Sequence, residues 1–446
     1  MDTRDVAKFV EKTAIENLPS AVVQMGKLRI LDTLGVMFAG LDTRAARIAR
    51  SLVETKGGRG EATLFGSDEK VPAGESAFAN TIAASDLDFD DGHWWGVHPA
   101  GAIIPALFGV AEMANSTGKQ LLEAVVAAYE VHLRSGDLFS PPPKLFLQHC
   151  SGTCGAYGVA AGAAKLLGLS EEQTINAIGI AWAHAPISPL WGLAEKGPMT
   201  KESMGWGAKT GVEAALLARL GFTGPPTIFD DPNRDRSTLE TLGTTYEIMS
   251  SYFKPYSACR MTHVPIDIVL DIMKEHSLVP NDIVKITVET RKWASTLKSY
   301  RPVNLEQAVY SIPFTVGAAV AEGDVSPRQM REERINDPHI LKQADKVELI
   351  YNPELDEGYQ ERWKAAVDME TRFGSYRIQR PFAKGDLQNS FTEDELKVKF
   401  NRAASGALGN KGTEEIMNAI LQIEAVPQVS QLTTLIKSSI QRTRTS

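Results

Sequence analysis

The chain has 446 residues, of which 43% are hydrophobic and 23% charged, and its formal net charge at pH 7 is -8. This length exceeds what one hydrophobic core usually supports, so we expect two domains in a globular protein. The acidic balance argues against general binding to nucleic acid or to an anionic membrane surface. An anionic substrate would therefore need a local cluster of cations.

The cysteines and the N-terminal segment indicate an intracellular protein. Cys150, Cys154 and Cys259 are too few, and odd in number, for a disulfide framework, and the first two lack the second ligand pair of a zinc site. Residues 1–14 mix acids and bases without the apolar core of a secretory signal. No apolar window is long enough to span a bilayer. We expect a soluble protein of the cytoplasm, with an organelle as the open alternative.

Helical periodicity dominates the first half of the chain, where apolar residues recur every three or four positions. Helical patterns cover residues 22–38, 121–133, 155–167 and 205–220. The segment Ser170-Glu171-Glu172-Gln173 is a capping box that opens a further helix. Glycine is costly in an exposed helix, so the repeated glycines and alanines at 155–164 predict closely packed, buried helices.

A polar segment, SDLDFDDGHWWGVHPAG, interrupts these helices at residues 85–101. Its aspartates, glycines and proline disfavour a continuous helix, so we predict a loop that leads into a buried helix. Loops held by a rigid scaffold are frequent sites of catalysis. The pattern Asp88-Phe89-Asp90-Asp91 would also suit an acid-initiated D-x-D-D cyclase, or a divalent metal site with His93, although so short a pattern arises easily by chance.

The pattern changes to strands after residue 253. Alternation of apolar and polar residues predicts a half-exposed strand. Strands are predicted over 284–290, 347–351 and 367–378, and helices over 264–274 and 307–321. A second capping box, Thr392-Glu393-Asp394-Glu395, returns the chain to helix as far as residue 440.

These elements predict a fold that is mainly α with an α+β domain. Residues 1–255 and 392–446 would form an all-helical domain from both ends of the chain. Residues 256–391 would form a smaller α+β lid domain inserted between them. No period of 20 to 50 residues repeats along the chain, which excludes a helical solenoid.

Several ordered segments carry a resemblance to a known family. They are LDFDDGHWWGVHPAGAIIPALFGVAE with the following GKQLLEAVVAAYEVHLR, HCSGTCG leading into AAGAAKLLGLS, GWGAKTGVEAALLARLGFTGP, and KPYSACRMTH. Weaker agreement extends through residues 307–319 and the terminal LTTLIK. Together these segments resemble the MmgE/PrpD family, which includes 2-methylcitrate dehydratase, cis-aconitate decarboxylase and iminodisuccinate epimerase.

The resemblance implies a homodimer with a site between the helical and lid domains, small polycarboxylate substrates, and neither a metal nor an organic cofactor. The leading expectation is a cofactor-independent lyase that dehydrates a 2-alkylcitrate, because dehydration is the most general activity of the family. Decarboxylation of the cis-aconitate type and epimerisation of an amino or imino dicarboxylate are the alternatives. An inactive binding homologue is the remote, non-enzymatic alternative.

Proton abstraction beside a carboxylate explains which side chains such a site needs. The reaction builds up negative charge on the substrate, so a base and surrounding cations are required, and histidine suits the base because its pKa lies near neutrality. By the family motif, the catalytic positions include Asp88, His98, His149 and His263. We assign proton transfer to His98 or His263, orientation of a substrate carboxylate to His149, and support of an imidazole or the loop to Asp88.

The family pattern also points to cationic side chains. Its lysine does not fall cleanly on one residue of this chain: Lys201 is the candidate for catalysis, with Lys196 as the alternative and as a candidate for substrate binding. Lys254 and Arg260 in KPYSACRMTH are further candidates for binding substrate carboxylates. His93 is a weaker substrate-binding candidate because it lies in the variable middle of the loop.

Two residues depart from the family pattern. Gly92 stands where a threonine commonly follows the paired aspartates, and Phe314 stands where several members carry a tyrosine. Loss of the tyrosine hydroxyl removes a candidate proton donor, which is compatible with an unusual substrate. The imidazoles also have structural alternatives, since His98 would stabilise its own loop and His149 and His263 would sit at helix starts.

Overall fold

The computed structural model describes residues 1–94, 96–139, 150–188, 193–357 and 363–445. The α-helices of these residues are Thr3–Lys12 (α1), Ser20–Gly40 (α2), Arg44–Lys56 (α3), Ala73–Ser85 (α4), Pro99–Met113 (α5), Gly118–Phe139 (α6), Ser151–Leu166 (α7), Glu171–His184 (α8), Leu193–Lys196 (α9), Met204–Arg219 (α10), Ser237–Glu240 (α11), His263–Glu275 (α12), Leu305–Val309 (α13), Ile312–Glu322 (α14), Glu332–Ile335 (α15), Pro338–Ala344 (α16), Glu393–Leu421 (α17) and Val429–Thr445 (α18). The strands are Ala62–Thr63 (β1), Lys70–Val71 (β2), Ile283–Thr290 (β3), Val347–Tyr351 (β4), Ala365–Thr371 (β5) and Gly374–Arg380 (β6). The predicted fold class, mainly α with an α+β part, is confirmed. Within these ranges, no helix combines the length and the apolar character that crossing a bilayer requires.

Two large hydrophobic clusters lie beneath these elements. The first gathers buried side chains of α1 to α8, α10, α17 and α18, so both ends of the chain meet in one helical layer. The second gathers side chains of α12 to α16 with β3, β4 and β5. Helix α17 packs along α2, which brings the C-terminal segment back against the N-terminal helices. The exact domain boundaries at residues 255 and 392 stay a prediction.

The larger sheet has the strand order β4-β3-β5-β6. Strand β3 runs parallel to β4 and antiparallel to β5, with Val288 opposite both Leu349 and Val367. The strand predicted over 367–378 is instead an antiparallel hairpin, because Arg372 and Phe373 turn the chain between β5 and β6. The turn carries none of the dipeptides that mark tight hairpins, so alternation alone did not reveal it.

Two predicted helices are broken in the structure. The helix predicted over 307–321 divides into α13 and α14, because Ser311 caps the second helix through Phe314 N at 3.0 Å and Pro313 has no N–H to continue the first. The helix predicted from residue 392 to 440 divides into α17 and α18. Both predicted capping boxes, at Ser170 and Thr392, are confirmed.

Glycines mark where the buried helices approach each other most closely. Helices α7 and α10 cross where a Cβ placed on Gly207 would lie 2.8 Å from the carbonyl carbon of Gly152. A Cβ on Gly158 would lie 2.8 Å from the carbonyl oxygen of Ala128 in α6. The prediction of closely packed, buried helices is therefore confirmed at these crossings.

Replacing Gly207 with alanine is expected to lower the free energy of unfolding by about 3 kcal/mol, because the methyl group would force α7 and α10 apart. The matched control is Gly406→Ala in α17, where an added Cβ meets nothing within 4 Å. That substitution is expected to stabilise the protein by up to about 1 kcal/mol through helix propensity. Urea unfolding followed by circular dichroism measures both, and equal stabilities of the two variants would contradict the close crossing.

Candidate active site

In the polar loop between α4 and α5, successive side chains lie on opposite sides of the backbone. Leu87 and Phe89 join the second hydrophobic cluster, whereas the buried Asp88 faces a group of cations. Five described non-glycine residues have a positive φ, and three of them are Asp88 (+50°), Lys201 (+38°) and Ser203 (+57°). Strained backbone of this kind persists where the surrounding structure enforces it, often at functional sites.

Four residues predicted from the sequence converge on one another: Asp88, His98, Lys201 and Lys254, here called the Asp88 cluster. The Lys254 Nζ donates to Asp88 Oδ1 at 2.6 Å and to the Asp88 carbonyl at 3.0 Å. The same Oδ1 lies 3.8 Å from His98 Nε2 and 4.0 Å from Lys201 Nζ. All four side chains are buried. The cluster therefore combines two ammonium groups and an imidazole around one carboxylate.

Oppositely charged groups of the Asp88 cluster shift one another's pKa values toward the charged forms. Burial alone would raise the pKa of Asp88, but Lys254, Lys201 and His98 outweigh it and hold that pKa well below its usual range. Burial would lower the pKa of Lys201, but Glu202 and Asp88 raise it above its usual value. Asp88 is therefore an anion and Lys201 a cation at neutral pH, which is how a buried ion pair persists.

His98 lies at the junction of the loop and α5. Its Nδ1 is 2.9 Å from the carbonyl oxygen of Asp91, which can only accept, so Nδ1 carries a proton. The same nitrogen lies 3.5 Å from Asp90 Oδ1. Burial and Lys254 lower the pKa of His98, but Asp90 and Asp88 outweigh them and raise it above its usual value. A raised pKa extends to higher pH the range in which the imidazole is protonated and able to donate a proton.

Asp91 holds this loop in place through its side-chain hydrogen bonds, a role that the sequence did not single out. Its Oδ1 accepts from Ala100 N at 2.9 Å and its Oδ2 accepts from Tyr129 OH at 2.8 Å. The buried Arg29 lies 3.5 Å from the same Oδ2. These contacts tie the start of α5, and with it His98, to α6 and α2. Paired aspartates directly before a helix start are the sequence feature that could have indicated this supporting role.

A second pair missed by the sequence analysis joins the cluster through Lys201. Glu202 is 1% exposed, and its Oε1 accepts a hydrogen bond from the Tyr310 hydroxyl. Lys201 in turn donates to the carbonyl oxygens of Ser85 at 2.7 Å and Asp86 at 3.3 Å. Tyr310 lies four residues before Phe314, the position where several family members carry a tyrosine, and the break between α13 and α14 separates the two. Phe314 itself is fully buried in the second hydrophobic cluster.

His263 begins α12 and is fully buried. Its Nε2 lies 2.9 Å from the carbonyl oxygen of Ala258, so the proton resides on Nε2, while Nδ1 has no hydrogen-bond partner among the described residues. Burial, Arg260 and Lys254 hold the pKa of His263 well below its usual value. The imidazole is therefore neutral, and its Nδ1 offers a lone pair.

The remaining candidates lie in different surroundings. Lys196 is on the surface, with its side chain 75% exposed and paired with Glu195 at 3.1 Å, so of the two lysines only Lys201 reaches the Asp88 cluster. The His93 Nε2 lies 3.0 Å from Ser250 Oγ, and burial lowers the pKa of His93 to about 3. His149 lies outside the described residues.

The loop also contains a set of atoms spaced like metal ligands. Asp88, Asp90 and His98 each offer one ligand atom, and these atoms lie within 4.8 Å of one another. However, a divalent ion bound to Asp88 would meet the ammonium groups of Lys254 and Lys201 at close range, so this donor set does not fit a metal. The same lysines keep Asp88 ionised, which makes it unsuitable as the acid of a cyclase.

A cavity of about 880 Å³ lies on the opposite side of the loop. Its lining includes Phe38, Leu87, Phe89, Tyr256 and Met330. No member of the Asp88 cluster lines it, although Leu87 and Phe89 flank Asp88 in the chain. The chemistry-bearing groups and this cavity therefore occupy opposite faces of one loop.

Comparisons with known proteins identify the family. The family model described as the MmgE/PrpD N-terminal domain matches residues 4–235, and the model described as the MmgE/PrpD C-terminal domain matches residues 256–424. Cis-aconitate decarboxylase of Homo sapiens is 27% identical over 459 residues, which cover 98% of this chain and 94% of the relative. Its counterpart in Aspergillus terreus is 20% identical over 478 residues, covering 98% and 96%. The probable 2-methylcitrate dehydratase of Saccharomyces cerevisiae is 24% identical over 410 residues, covering 82% and 76%. The predicted resemblance is thus confirmed, and the chain belongs to the MmgE/PrpD family.

Proposed function

We propose that this protein is a cofactor-independent lyase for a small tricarboxylate and that its leading reaction is decarboxylation of a cis-aconitate-like acid. The observation that carries the proposal is the buried His98, whose pKa is raised above its usual value and which shares Asp88 with two lysine ammonium groups. This choice moves from the dehydration favoured by the sequence to its first alternative. Relatives named cis-aconitate decarboxylase that match 98% of the chain support the same choice.

The lysines supply binding for an anionic substrate. An ammonium group has three N–H donors. Within the described residues, Lys254 uses two on Asp88, and Lys201 uses two on the carbonyl oxygens of Ser85 and Asp86. One donor of each lysine is left for a substrate carboxylate. Because both lysines are buried, their attraction for an anion is weakened little by solvent.

Decarboxylation of such an acid needs one proton donor. The bond between the allylic carbon and its carboxylate breaks, and the electron pair forms a new double bond as carbon dioxide leaves. The pair of the original double bond then takes a proton at the far carbon. We assign this proton to His98 Nε2, because His98 Nδ1 is engaged with the Asp91 carbonyl. Asp88 would stabilise the charged imidazole before transfer.

Dehydration of a 2-alkylcitrate is the second candidate, and His263 favours it. That reaction needs a base for the carbon-bound proton as well as an acid for the leaving hydroxyl. The neutral His263, with its open Nδ1, would serve as the base and His98 as the acid. The relative named probable 2-methylcitrate dehydratase supports retaining this reaction.

Proton NMR in deuterated water tests the proposal. The purified protein is incubated separately with cis-aconitate, citrate and 2-methylcitrate. Decarboxylation is expected to give a dicarboxylate with a terminal methylene and one deuterium on the neighbouring saturated carbon, and EDTA is expected to leave its rate unchanged. An alkene tricarboxylate formed from 2-methylcitrate would favour dehydration instead. Turnover of none of the three acids would contradict the proposed substrate class.

Two further parts of this proposal are a homodimer, which the resemblance supports, and a cytoplasmic location, which the small and odd number of cysteines supports. Light scattering during size-exclusion chromatography is expected to give twice the chain mass of 48.6 kDa. A monomeric mass at micromolar concentration would contradict the homodimer. Fluorescence microscopy of the tagged protein tests the location, and an organellar signal would contradict it.

A further inference from the structure

Tyr252 lies across the polar loop from Gly92. The two residues exchange backbone hydrogen bonds of 3.1 and 2.8 Å, and the phenol ring covers the glycine so closely that a Cβ on Gly92 would lie 2.5 Å from the ring carbon bearing the hydroxyl. Two residues later Lys254 contacts Asp88, while the intervening Phe253 belongs to a separate hydrophobic cluster. Tyr252 and Lys254 therefore turn their side chains toward the same face of the loop.

The hydroxyl of Tyr252 makes no hydrogen bond within the described part of the chain, although the residue is only 5% exposed. Buried tyrosine hydroxyls normally find a partner. Burial raises the pKa of Tyr252 well above its usual value despite the nearby Arg260. The hydroxyl is therefore protonated and is able to donate a hydrogen bond, for which the described residues supply no acceptor.

Arg260 provides a second donor near the Tyr252 ring. Its Nε donates to Asp386 Oδ1 at 3.0 Å and its Nη2 donates to Asp386 Oδ2, so the guanidinium is fixed in a two-pronged pair. Its Nη1 has no partner among the described residues, although Arg260 is 5% exposed. The guanidinium carbon lies 5.5 Å from the centroid of the Tyr252 ring. Within the part of the chain that the structure describes, these two residues, each 5% exposed, thus hold donors without a protein acceptor.

We propose that the Tyr252 hydroxyl and Arg260 Nη1 together bind one carboxylate of the substrate, separately from the carboxylate that Lys201 and Lys254 bind. The inference rests on the proposed function, because it assumes a small polycarboxylate in the same site. A carboxylate suits the two donors since it accepts two hydrogen bonds and neutralises an arginine. Gly92 allows this arrangement because any larger residue would displace the phenol ring.

Such a subsite gives the protein a means of selecting its substrate. An acid that lacks the corresponding carboxylate would leave the two buried donors unpaired, and unpaired donors discriminate strongly between related ligands. The length and branching of accepted acids would then depend on the separation between this pair and the Asp88 cluster. Tyr252 and Arg260 would determine specificity, whereas His98 would move the proton.

Isothermal titration calorimetry of the Tyr252→Phe variant tests the subsite. The probes are tricarballylate, which has three carboxylates and no reactive double bond, and the dicarboxylates glutarate and 2-methylsuccinate, which each lack one of the three. The variant is expected to bind tricarballylate at least about tenfold more weakly. One of the two dicarboxylates is expected to bind to wild type and variant with equal affinity, because it lacks the carboxylate in question.

A matched control is Tyr300→Phe, which removes a hydroxyl bonded to the Val347 carbonyl at 2.8 Å in the lid sheet. It is expected to leave all three affinities unchanged. Unchanged tricarballylate affinity in Tyr252→Phe, or an equal loss for all three acids, would overturn the subsite alone if the wild type turns over a tricarboxylate. A wild type that neither binds tricarballylate nor turns over any tricarboxylate would overturn the proposed function as well.

Discussion

Replacing His98 with asparagine is expected to lower kcat/KM by about a thousandfold, within the range that a single proton-transfer group contributes. The asparagine amide retains a donor toward the Asp91 carbonyl but removes the Nε2 that would deliver the proton. The control is His339→Asn, which alters an exposed imidazole and is expected to leave the rate unchanged. Circular dichroism and the melting temperature verify that both variants are folded at the assay temperature. A near-normal rate for His98→Asn would contradict its assignment.

The pH dependence of the wild type provides an independent test of the same residue. Asp90 and Asp88 raise the pKa of His98 against burial, so its acid form persists above the ordinary value of about 6.5. If the acid form is required, kcat/KM is constant below the raised pKa and falls as the pH rises through it. If His98 acted as a base, kcat/KM would instead rise with pH as the imidazole loses its proton. The direction in which kcat/KM changes with pH therefore distinguishes the acid role from the base role.

Replacing Lys254 with methionine is expected to lower the free energy of unfolding by about 3 kcal/mol and to abolish turnover. The variant would leave the 2% exposed Asp88 without the ammonium group that contacts it at 2.6 Å. Lys201 and His98 remain within 4.0 Å, which places the loss at the lower end for a broken buried pair. Urea unfolding measures stability, and the NMR assay measures turnover.

Two further variants isolate the electrostatic cause. Adding Asp88→Asn to Lys254→Met removes the unpaired charge and is expected to recover part of the lost stability, without recovering turnover. Lys285→Met breaks a surface pair of the same 2.6 Å length, with Glu348, and is expected to leave stability almost unchanged. Equal effects of Lys254→Met and Lys285→Met would mean that burial does not strengthen the Asp88 pair.

The free energy of unfolding of the wild type is expected to fall in acid as Asp88 is protonated. Because the pKa of Asp88 is lower in the folded than in the unfolded protein, its contribution is fully present above the unfolded value of about 3.9. That contribution is lost as the pH falls from there toward the folded value. In the double variant, which has no carboxylate at position 88, this part of the acid dependence is expected to disappear.

Much of the site follows from local sequence patterns. The segment around Asp88 and His98 was predicted as a loop before a buried helix because aspartate and glycine oppose helix formation, and the structure has that loop. Lys201 and Lys254 are both candidates from the sequence, and both reach Asp88. The choice between Lys196 and Lys201 stayed open, because chain position says nothing about which ammonium group is buried.

The family, the mainly α fold and both capping boxes could be predicted from the sequence, because the family shows in the order of its motifs and helices and caps depend on residues close in the chain. Three contacts became visible only in the folded chain: the pairing of Lys254 with Asp88, the hydrogen bond from Tyr310 to Glu202, and the position of Tyr252 over Gly92. These contacts join residues separated by more than a hundred positions. Their charge states also depend on burial, which arises only when the helices and the α+β elements pack together.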